Sequence, residues 1–396
     1  MKKQLIVSAC RTAGGKFGGQ FAKLEATDLG AAALKEVLAR SGVAACEADE
    51  VIMGNGWQAG VGSNPARQAM YKAGFPVETP AYTVNIRCGS GLRTIMLACD
   101  RIKAGGAKAI AAGGMESASN VPYLLPAARW GFRMGEQKAT DSLHKDGFQC
   151  PLTGRLMGEL TEEFAVREFS ISRAEQDEYA LGSHMKACAA IEEGRFKDEI
   201  IPVSVRDRKR GDVVCDTDEI PRKDTTLESL GRLPVIFGGK DTGTITAGSS
   251  SALCDAAAAV MVVDSDYAAA HGLKPLAEIV SYAIAAVEPA KFTIAPIPAM
   301  SKTFSETRLT IKDIELLEVN EAFAAQVIAC HRLMPFDMDR LNVCGGAIAL
   351  GHPIGASGTK ILTTLLYSLK REGKELGMAT ACIGGGQGVA MIVKML

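Results

Sequence analysis

The spacing of apolar residues changes period repeatedly along the chain, and the two periods alternate. Leu5–Ser8 is a short apolar run of strand type. Thr27–Ser41 carries apolar residues at helical spacing, with Thr27 or Asp28 as N-cap and Gly42 just past its end. The pattern then predicts a strand over Glu50–Gly54, a helix near Pro65–Ala73 and a strand over Ala81–Val84. A helix from Ser90 to about Ala104 and a strand over Ala109–Ala112 follow. Strands alternating with helices imply a parallel sheet with helices packed on its faces.

The same order returns in the C-terminal part. Strand Ala277–Ala285 precedes a helix over Ala299–Arg308, and the stretch Asp313 to Asn320 resembles Asp49 to Asn55. Helix Ser357–Lys370 parallels the helix after Cys88, and Ala379–Cys382 with Gly388–Lys394 reads as a closing hairpin. The offset between the two series is about 265–270 residues, which predicts two α/β halves descended from one unit. Residues from about 120 to 248 differ: they are richer in charge and proline, with one long helix, Arg173–Glu193, capped by Ser172. An insertion of that length does not fit a simple loop and reads as a lid or substrate-binding subdomain. Leu253–Val263 then resumes apolar strand character. The expected division is 1–119 with 248–268 as the first half, 120–247 as the insertion and 269–396 as the second half.

Composition narrows the function classes. The 396 residues are 47% hydrophobic and 22% charged, with a formal net charge of −1. That balance argues against a global electrostatic grip on nucleic acid or an anionic membrane. The run Arg206-Asp207-Arg208-Lys209-Arg210 reads as a solvated loop. The N-terminus enters a strand at once, without the apolar core of a signal peptide, and nothing approaches the roughly 18–20 apolar residues of a membrane span; the expected location is cytoplasmic. Eleven scattered cysteines with no C-x-x-C pair form neither a disulfide framework nor a zinc pattern. A catalytic cysteine must therefore be identified by its local setting.

Four segments carry candidate chemistry. Asn85-Ile86-Arg87-Cys88-Gly89-Ser90-Gly91 joins a strand to an apolar helix, where backbone N–H groups and the helix dipole favour a thiolate; a cysteine buried in a turn is an equally good reading of this motif alone. Asn320-Glu321-Ala322-Phe323 follows an apolar strand and lies at the sheet edge where ligands bind, unless Asn320 merely caps a helix over Glu321–Arg332. His352 is held between Gly351 and Pro353 in a glycine-rich loop that opens a helix, a setting for a general base or for a phosphate cradle or a cap. Cys382-Ile383-Gly384-Gly385-Gly386 is either a tight turn or a source of bare N–H groups for an oxyanion hole, with Cys382 as proton carrier.

In combination these segments resemble the thiolase family over essentially the whole chain. Asn64-Pro65-Ala66-Arg67-Gln68, Gly113-Gly114-Met115-Glu116-Ser117, Asp216-Thr217-Asp218-Glu219 and Thr246-Ala247-Gly248 support it. The resemblance implies an α/β thiolase-like fold: two repeated βαβαβαββ halves in a layered α/β/α/β/α core, with an inserted loop subdomain. It implies an acyl-CoA acyltransferase that cleaves 3-ketoacyl-CoA with CoA, or condenses acetyl-CoA in reverse. Cys88 would carry the acyl group, His352 would activate it and Cys382 would exchange the second proton. The N–H groups of Cys88 and Gly384 would hold one oxyanion, and His352 with a water on Asn320 the other. Arg222, Ser251, Met157 and Phe323 match positions that contact CoA. Coenzyme A and acetyl-CoA enter as substrates, and no permanently bound cofactor or metal is expected. The basic loop Arg129-Trp130-Gly131-Phe132-Arg133-Met134-Gly135 resembles the one that joins dimers into tetramers, so a homodimer or homotetramer is expected.

Some positions depart from the family pattern. Leu156-Met157-Gly158 stands where biosynthetic acetoacetyl-CoA thiolases usually show His-Met-Gly. A leucine there makes the acyl pocket more apolar and shifts the expected preference to longer or branched ketoacyl chains. The stretches Ala252–Ala257 and Phe292–Pro298 also depart near that pocket. Rival readings are a biosynthetic acetoacetyl-CoA thiolase, a decarboxylating ketoacyl synthase, a catalytically weak acyl-CoA- or lipid-binding relative, and a cysteine hydrolase, for which His352 lacks an obvious acidic orienter.

Overall fold

The computed structural model describes residues 3–207, 209, 211–239 and 242–396. The first half runs β1 (Gln4–Thr12), α1 (Ala26–Ser41), β2 (Glu50–Gly54), α2 (Pro65–Lys72), β3 (Ala81–Val84), α3 (Ser90–Lys103) and β4 (Ala109–Ser117). Helix α4 (Arg173–Glu192) lies in the long intervening stretch, and β5 (Cys254–Asp264) returns to the sheet. The second half runs β6 (Ala277–Ala286), α5 (Pro296–Thr307), β7 (Leu316–Val319), α6 (Ala324–Leu333), α7 (Ser357–Glu372), β8 (Leu376–Ile383) and β9 (Gln387–Met395). Local chemistry sets several of these ends. Glu25 and Asp28 form a reciprocal capping box before α1, Ser172 and Glu175 form one before α4, and Gly42 closes α1 at φ 73°.

The strands pair in the order β7-β8-β9-β6-β1-β5-β4-β2-β3, and the short strands Gly15–Lys16 and Ile200–Ile201 bring the sheet to eleven. That order is a palindrome of the repeat. Numbered within each half, the first reads 3-2-4-5-1 and the second 2-4-5-1. The halves join where the two first strands pair antiparallel, Leu5 opposite Glu278 and Ile6 opposite Ala277. The third strand of the second half is reduced to one parallel bridge between Leu317 and Leu341. The chain turns away at Asn342, which has φ 44° and spends its side chain on Val319 and Glu321. The repeated unit is therefore complete only in the first half.

Three hydrophobic cores separate the layers. Leu29, Leu34 and Met70 of α1 and α2 pack on Val51, Met53 and Val263. In the centre, Leu92, Ile95 and Met96 of α3 and Leu362, Leu365 and Leu366 of α7 fill the space between the two half-sheets. Met300 of α5 and Val327 of α6 pack on Val319, Met378 and Ile392. The result is the α/β/α/β/α arrangement. Central α3 and α7 cross where both lack a side chain: a Cβ on Gly91 would press on the Thr359 backbone N, and one on Gly358 on the Leu92 backbone N. Thr359 Oγ1 donates to the Gly91 carbonyl at 3.0 Å. Two helix N-termini from opposite halves are thereby brought together, and the segments preceding them carry Cys88 and His352.

Helix α6 starts at Ala324 with Phe323 as N-cap, three residues later than the sequence pattern predicts, because Glu321 is turned inward to Tyr179, Ser183, Asn342 and the Ile348 N–H. Of the charged run at 206–210, Arg206 and Asp207 end the first strand of the hairpin Val203–Asp207/Gly211–Cys215; Arg206 and Lys209 are exposed, and Arg208 and Arg210 lie outside the described residues. Among the described residues, no helix is long and apolar enough to cross a membrane.

One buried charge cluster links the first strand to the intervening stretch. Arg11, fully buried, donates to Glu199 at 2.5 Å and bidentately to Asp218 at 2.8 and 2.9 Å. Glu199 also accepts from Thr364 of α7. Removing one member of such a cluster strands the others. Arg11→Met should cost about 3–5 kcal/mol of stability, read as a large drop in the urea midpoint. A midpoint equal to that of the unmutated protein would contradict this account.

Candidate active site

The nucleophile turn is braced locally. Beyond β3, Asn85 Oδ1 accepts from the Arg87 N–H at 3.0 Å, and Ser90 Oγ accepts from the Ile86 N–H at 3.0 Å while donating to the Arg87 carbonyl at 2.6 Å. These bonds hold Arg87 in the left-handed region, φ 55°, a strained conformation for a non-glycine residue that costs about 1–3 kcal/mol. The strain turns the Cys88 side chain toward the second half. The Arg87 guanidinium points inward and donates to the carbonyls of Asp146 and Gly147 at 2.6 and 2.7 Å, strapping the turn Leu143–Phe148 over the site.

His352 Nε2 lies 3.1 Å from Cys88 Sγ. Its other nitrogen, Nδ1, lies 2.5 Å from Ser357 Oγ. Ser357 Oγ is also 3.0 Å from the Pro353 carbonyl, which has only lone pairs to offer. The serine proton therefore goes to Pro353, Ser357 accepts from Nδ1–H, and Nε2 faces the sulfur as a base. Ser357 supplies the orienter that the sequence pattern did not reveal. The backbone N–H groups of Gly384 and Cys88 lie near enough to the sulfur to favour its anion, which makes them the candidate donors to an oxyanion at its acyl carbon.

Burial sets the resting charge. It pushes His352 down to about 3, helped by the Lys360 ammonium; Lys360 is itself held on the carbonyls of Leu350 and Gly351 at 2.5 and 3.2 Å. Burial also pushes Cys88 above its ordinary value of 9.0, against the pull of Arg87 and the two N–H groups. Desolvation thus works against the thiolate that the helix N-terminus favours and toward a thiol beside a neutral imidazole. Cys382, buried on the adjacent hairpin, is pushed well above the ordinary thiol range by burial and then by Cys88 and Cys330.

Cys88, His352, Cys382 and Gly384 line one cavity of about 430 Å³, together with Ser251, Met157 and Phe323. Its apolar walls are Phe148, Ile236, Phe237 and Phe292. A neighbouring groove of about 270 Å³ holds Arg222, His184 and Ser229, and shares Ala247, Ser250 and Ala252 with the cavity. His184 Nδ1 accepts from the Arg222 N–H at 3.3 Å; burial and then the Arg222 charge push the ring down to about 4. Of the residues matched to CoA contacts, only Arg222 faces this groove, while Met157 and Phe323 pack beside Cys382.

Two sequence-based expectations need correction. Asn320 does not cap a helix: both its side-chain polar atoms are buried without a protein partner. It sits behind His352 on a small cavity of about 20 Å³ shared with Glu318, Ser357 and Lys360, not in the wall of the large one. Leu156 does not line the acyl cavity; it caps the short helix Met157–Thr161, and its neighbour Met157 faces inward. Among the described residues, no group of three or more His, Cys, Asp or Glu side chains is arranged to hold a metal ion. A neutral pair of this kind has a kinetic signature. The rate of Cys88 alkylation by iodoacetamide should climb with pH through 9 with no plateau between pH 5 and 8. A flat rate over that interval, the mark of a thiolate–imidazolium pair, would refute it.

Comparison with known proteins agrees with this geometry. The family descriptions "Thiolase, N-terminal domain" and "Thiolase, C-terminal domain" match residues 4–266 and 273–395. The chain is 48% identical to the acetyl-CoA acetyltransferase of Escherichia coli (strain K12) over 397 residues, covering 100% of both chains. It is 48% identical to that of Cupriavidus necator over 394 residues, again covering 100% of both. The crystal structure of the Bacillus anthracis acetyl-CoA acetyltransferase superposes with a TM-score of 0.97 at 40% identity, covering 100% of this chain and 99% of that one. The chain belongs to the thiolase family.

Proposed function

We propose that this thiolase catalyses reversible thiolytic cleavage of 3-ketoacyl-CoA, with Claisen condensation onto acetyl-CoA as the reverse reaction, through an acyl group carried on Cys88. The observation that carries the reading is the 3.1 Å contact between Cys88 Sγ and His352 Nε2, set beside the N–H groups of Cys88 and Gly384. The names of the curated relatives support an acetyl unit as the common group transferred.

In the cleavage direction His352 Nε2 takes the Cys88 proton as the sulfur attacks the ketone carbon of the substrate. The N–H groups of Cys88 and Gly384 hold the resulting oxyanion. Collapse breaks the bond between the α-carbon and the former ketone carbon, and the electron pair leaves as the enolate of acetyl-CoA. Cys382, in the wall of the same cavity, protonates that carbon. Free CoA then gives its thiol proton to Cys382 and attacks the acyl-Cys88 thioester, releasing the shortened acyl-CoA and the Cys88 sulfur, which takes its proton back from His352. Asn320, expected to hold a water for the enolate oxygen, has two unpaired polar atoms, but they lie on the small cavity behind His352 and outside the wall of the large one, so the enolate oxygen is left to the protonated His352 ring. Two thioesters of similar energy keep both directions open.

The groove with Arg222 and His184 fits the phosphate-bearing end of CoA, and Ser251 at the shared boundary fits the pantetheine arm. The stretch 120–247 supplies much of this wall, which supports reading it as a CoA-binding subdomain between the halves 1–119 with 248–268 and 269–396. Trp130 and Met134, 87% and 92% exposed on a loop with Arg129 and Arg133, support self-association through that loop, and the balanced charge fits a protein acting on free acyl-CoA and not on nucleic acid or membranes.

With acetoacetyl-CoA and free CoA, the enolate absorbance should decay, and Cys88→Ala should reduce the rate by at least about 10⁴-fold. Full thiolysis by Cys88→Ala would defeat the mechanism. Chain-length preference belongs to the side chains that line the cavity. Phe292→Ala should raise relative kcat/KM for longer ketoacyl-CoA substrates about tenfold or more, while Leu156→His should leave the preference within threefold. The reverse ranking across a substrate panel would show that Leu156 sets the pocket.

A further inference from the structure

Glu116, at the end of β4, is fully buried and takes no part in the steps above. Its Oε2 accepts from the Gly355 N–H at 2.7 Å and the Gly56 N–H at 2.8 Å. Its Oε1 accepts from Asn55 Nδ2 at 2.7 Å and the Trp57 N–H at 3.1 Å. Four donors and no acceptor surround the carboxyl, so a protonated form would aim its O–H at another donor. Burial pushes its pKa up to about 7 against the N–H groups of Gly355, Gly56 and Trp57, with Asp255 adding a smaller push in the same direction.

The donors belong to two different loops. Gly355 lies three residues beyond His352, in the second half. Asn55, Gly56 and Trp57 follow β2 in the first half, and the Gly56 carbonyl accepts from Asn85 Nδ2 at 3.0 Å. Asn85 in turn holds the Arg87 N–H beside the nucleophile. One carboxylate therefore connects the histidine loop to the cysteine turn through a short, wholly hydrogen-bonded path. Room for it is built in: a Cβ on Gly114 or on Gly54 would collide with the Gly355 carbonyl oxygen. The bond between Thr359 and Gly91 joins the helices beyond these segments but does not fix the loops themselves.

We propose that Glu116 is a positioning residue that sets the separation of Cys88 Sγ and His352 Nε2. This rests on the reading of those two groups as nucleophile and base. A misplacement on the order of 1 Å costs up to about 100-fold in rate, and the Cys88–His352 contact has no slack to absorb it. Glutamine in place of Glu116 keeps the shape but turns an NH₂ toward two N–H donors, which separates the loops. The CoA groove lies elsewhere and stays as it is.

The test is single-turnover acetylation of Cys88 by acetyl-CoA, followed by mass spectrometry, with CoA binding measured in parallel. Wild type should be acetylated at Cys88. Glu116→Gln should reach the same final occupancy about 10- to 100-fold more slowly, with the dissociation constant for CoA within twofold. Asn55→Ser, which removes one donor of four, should be a few-fold slower and decides the matter if Glu116→Gln does not fold. Wild-type rates in the folded variants would overturn the proposal. So would reduced occupancy at an unchanged rate, because that marks loss of folded protein instead of misplacement. A wild type that is never acetylated would refute the acyl-Cys88 reading itself, and this proposal with it.

Discussion

A sulfur from one half of the chain meets a ring nitrogen from the other at 3.1 Å, and the architecture serves to hold that contact. Neither half contains the pair. The palindromic sheet order turns the two halves toward each other, and the glycines at 91 and 358 let α3 and α7 touch backbone to backbone. Each helix is entered through a strained or glycine-lined turn, so the side chain just ahead of it is aimed across the interface. A Cβ at either glycine would press on the backbone of the opposite helix, so a larger residue there cannot keep this approach.

Burial decides how that contact behaves. A thiol and an imidazole exposed to water would exchange a proton readily; here desolvation disfavours the charged form of each. The donors that would stabilise negative charge, the N–H groups of Cys88 and Gly384, are already in place. On the mechanism proposed above, charge separates when a carbonyl enters and its developing oxyanion uses those donors. The ammonium of Lys360 contributes to the same end, because it sits near His352 and resists protonation of the ring in the empty site.

Much of the fold was legible because the apolar periods are strong. The strands Glu50–Gly54 and Ala81–Val84 coincide with the pattern, and of the four segments that the repeat sets at strand ends, those of Cys88, His352 and Cys382 bring these residues to one cavity, whereas Asn320 lies on the small cavity behind His352. The missing third strand of the second half was not legible, because Asn342 turns the chain through a tertiary hydrogen-bond set. Ser357 was missed as the histidine's orienter: its role depends on the Pro353 carbonyl lying close enough to claim its proton. Glu116 was quoted only as part of a motif, since a carboxylate's donors on two distant loops leave no spacing to read. Leu156 was assigned to the pocket by position in a tripeptide, yet the helix that begins at Met157 turns it away. Periodicity reports which face of an element is buried; it says little about which of two adjacent side chains enters a cavity at an element's end.

The central claim is that the acyl group rests on the enzyme between two CoA molecules. Isotope exchange addresses it without a second acyl substrate. Labelled free CoA incubated with unlabelled acetyl-CoA and the enzyme should become incorporated into acetyl-CoA, with no net reaction and with loss of exchange in Cys88→Ala. Absence of exchange by an enzyme that nevertheless cleaves acetoacetyl-CoA would mean that both substrates must be bound before any bond breaks, and the covalent account would be wrong.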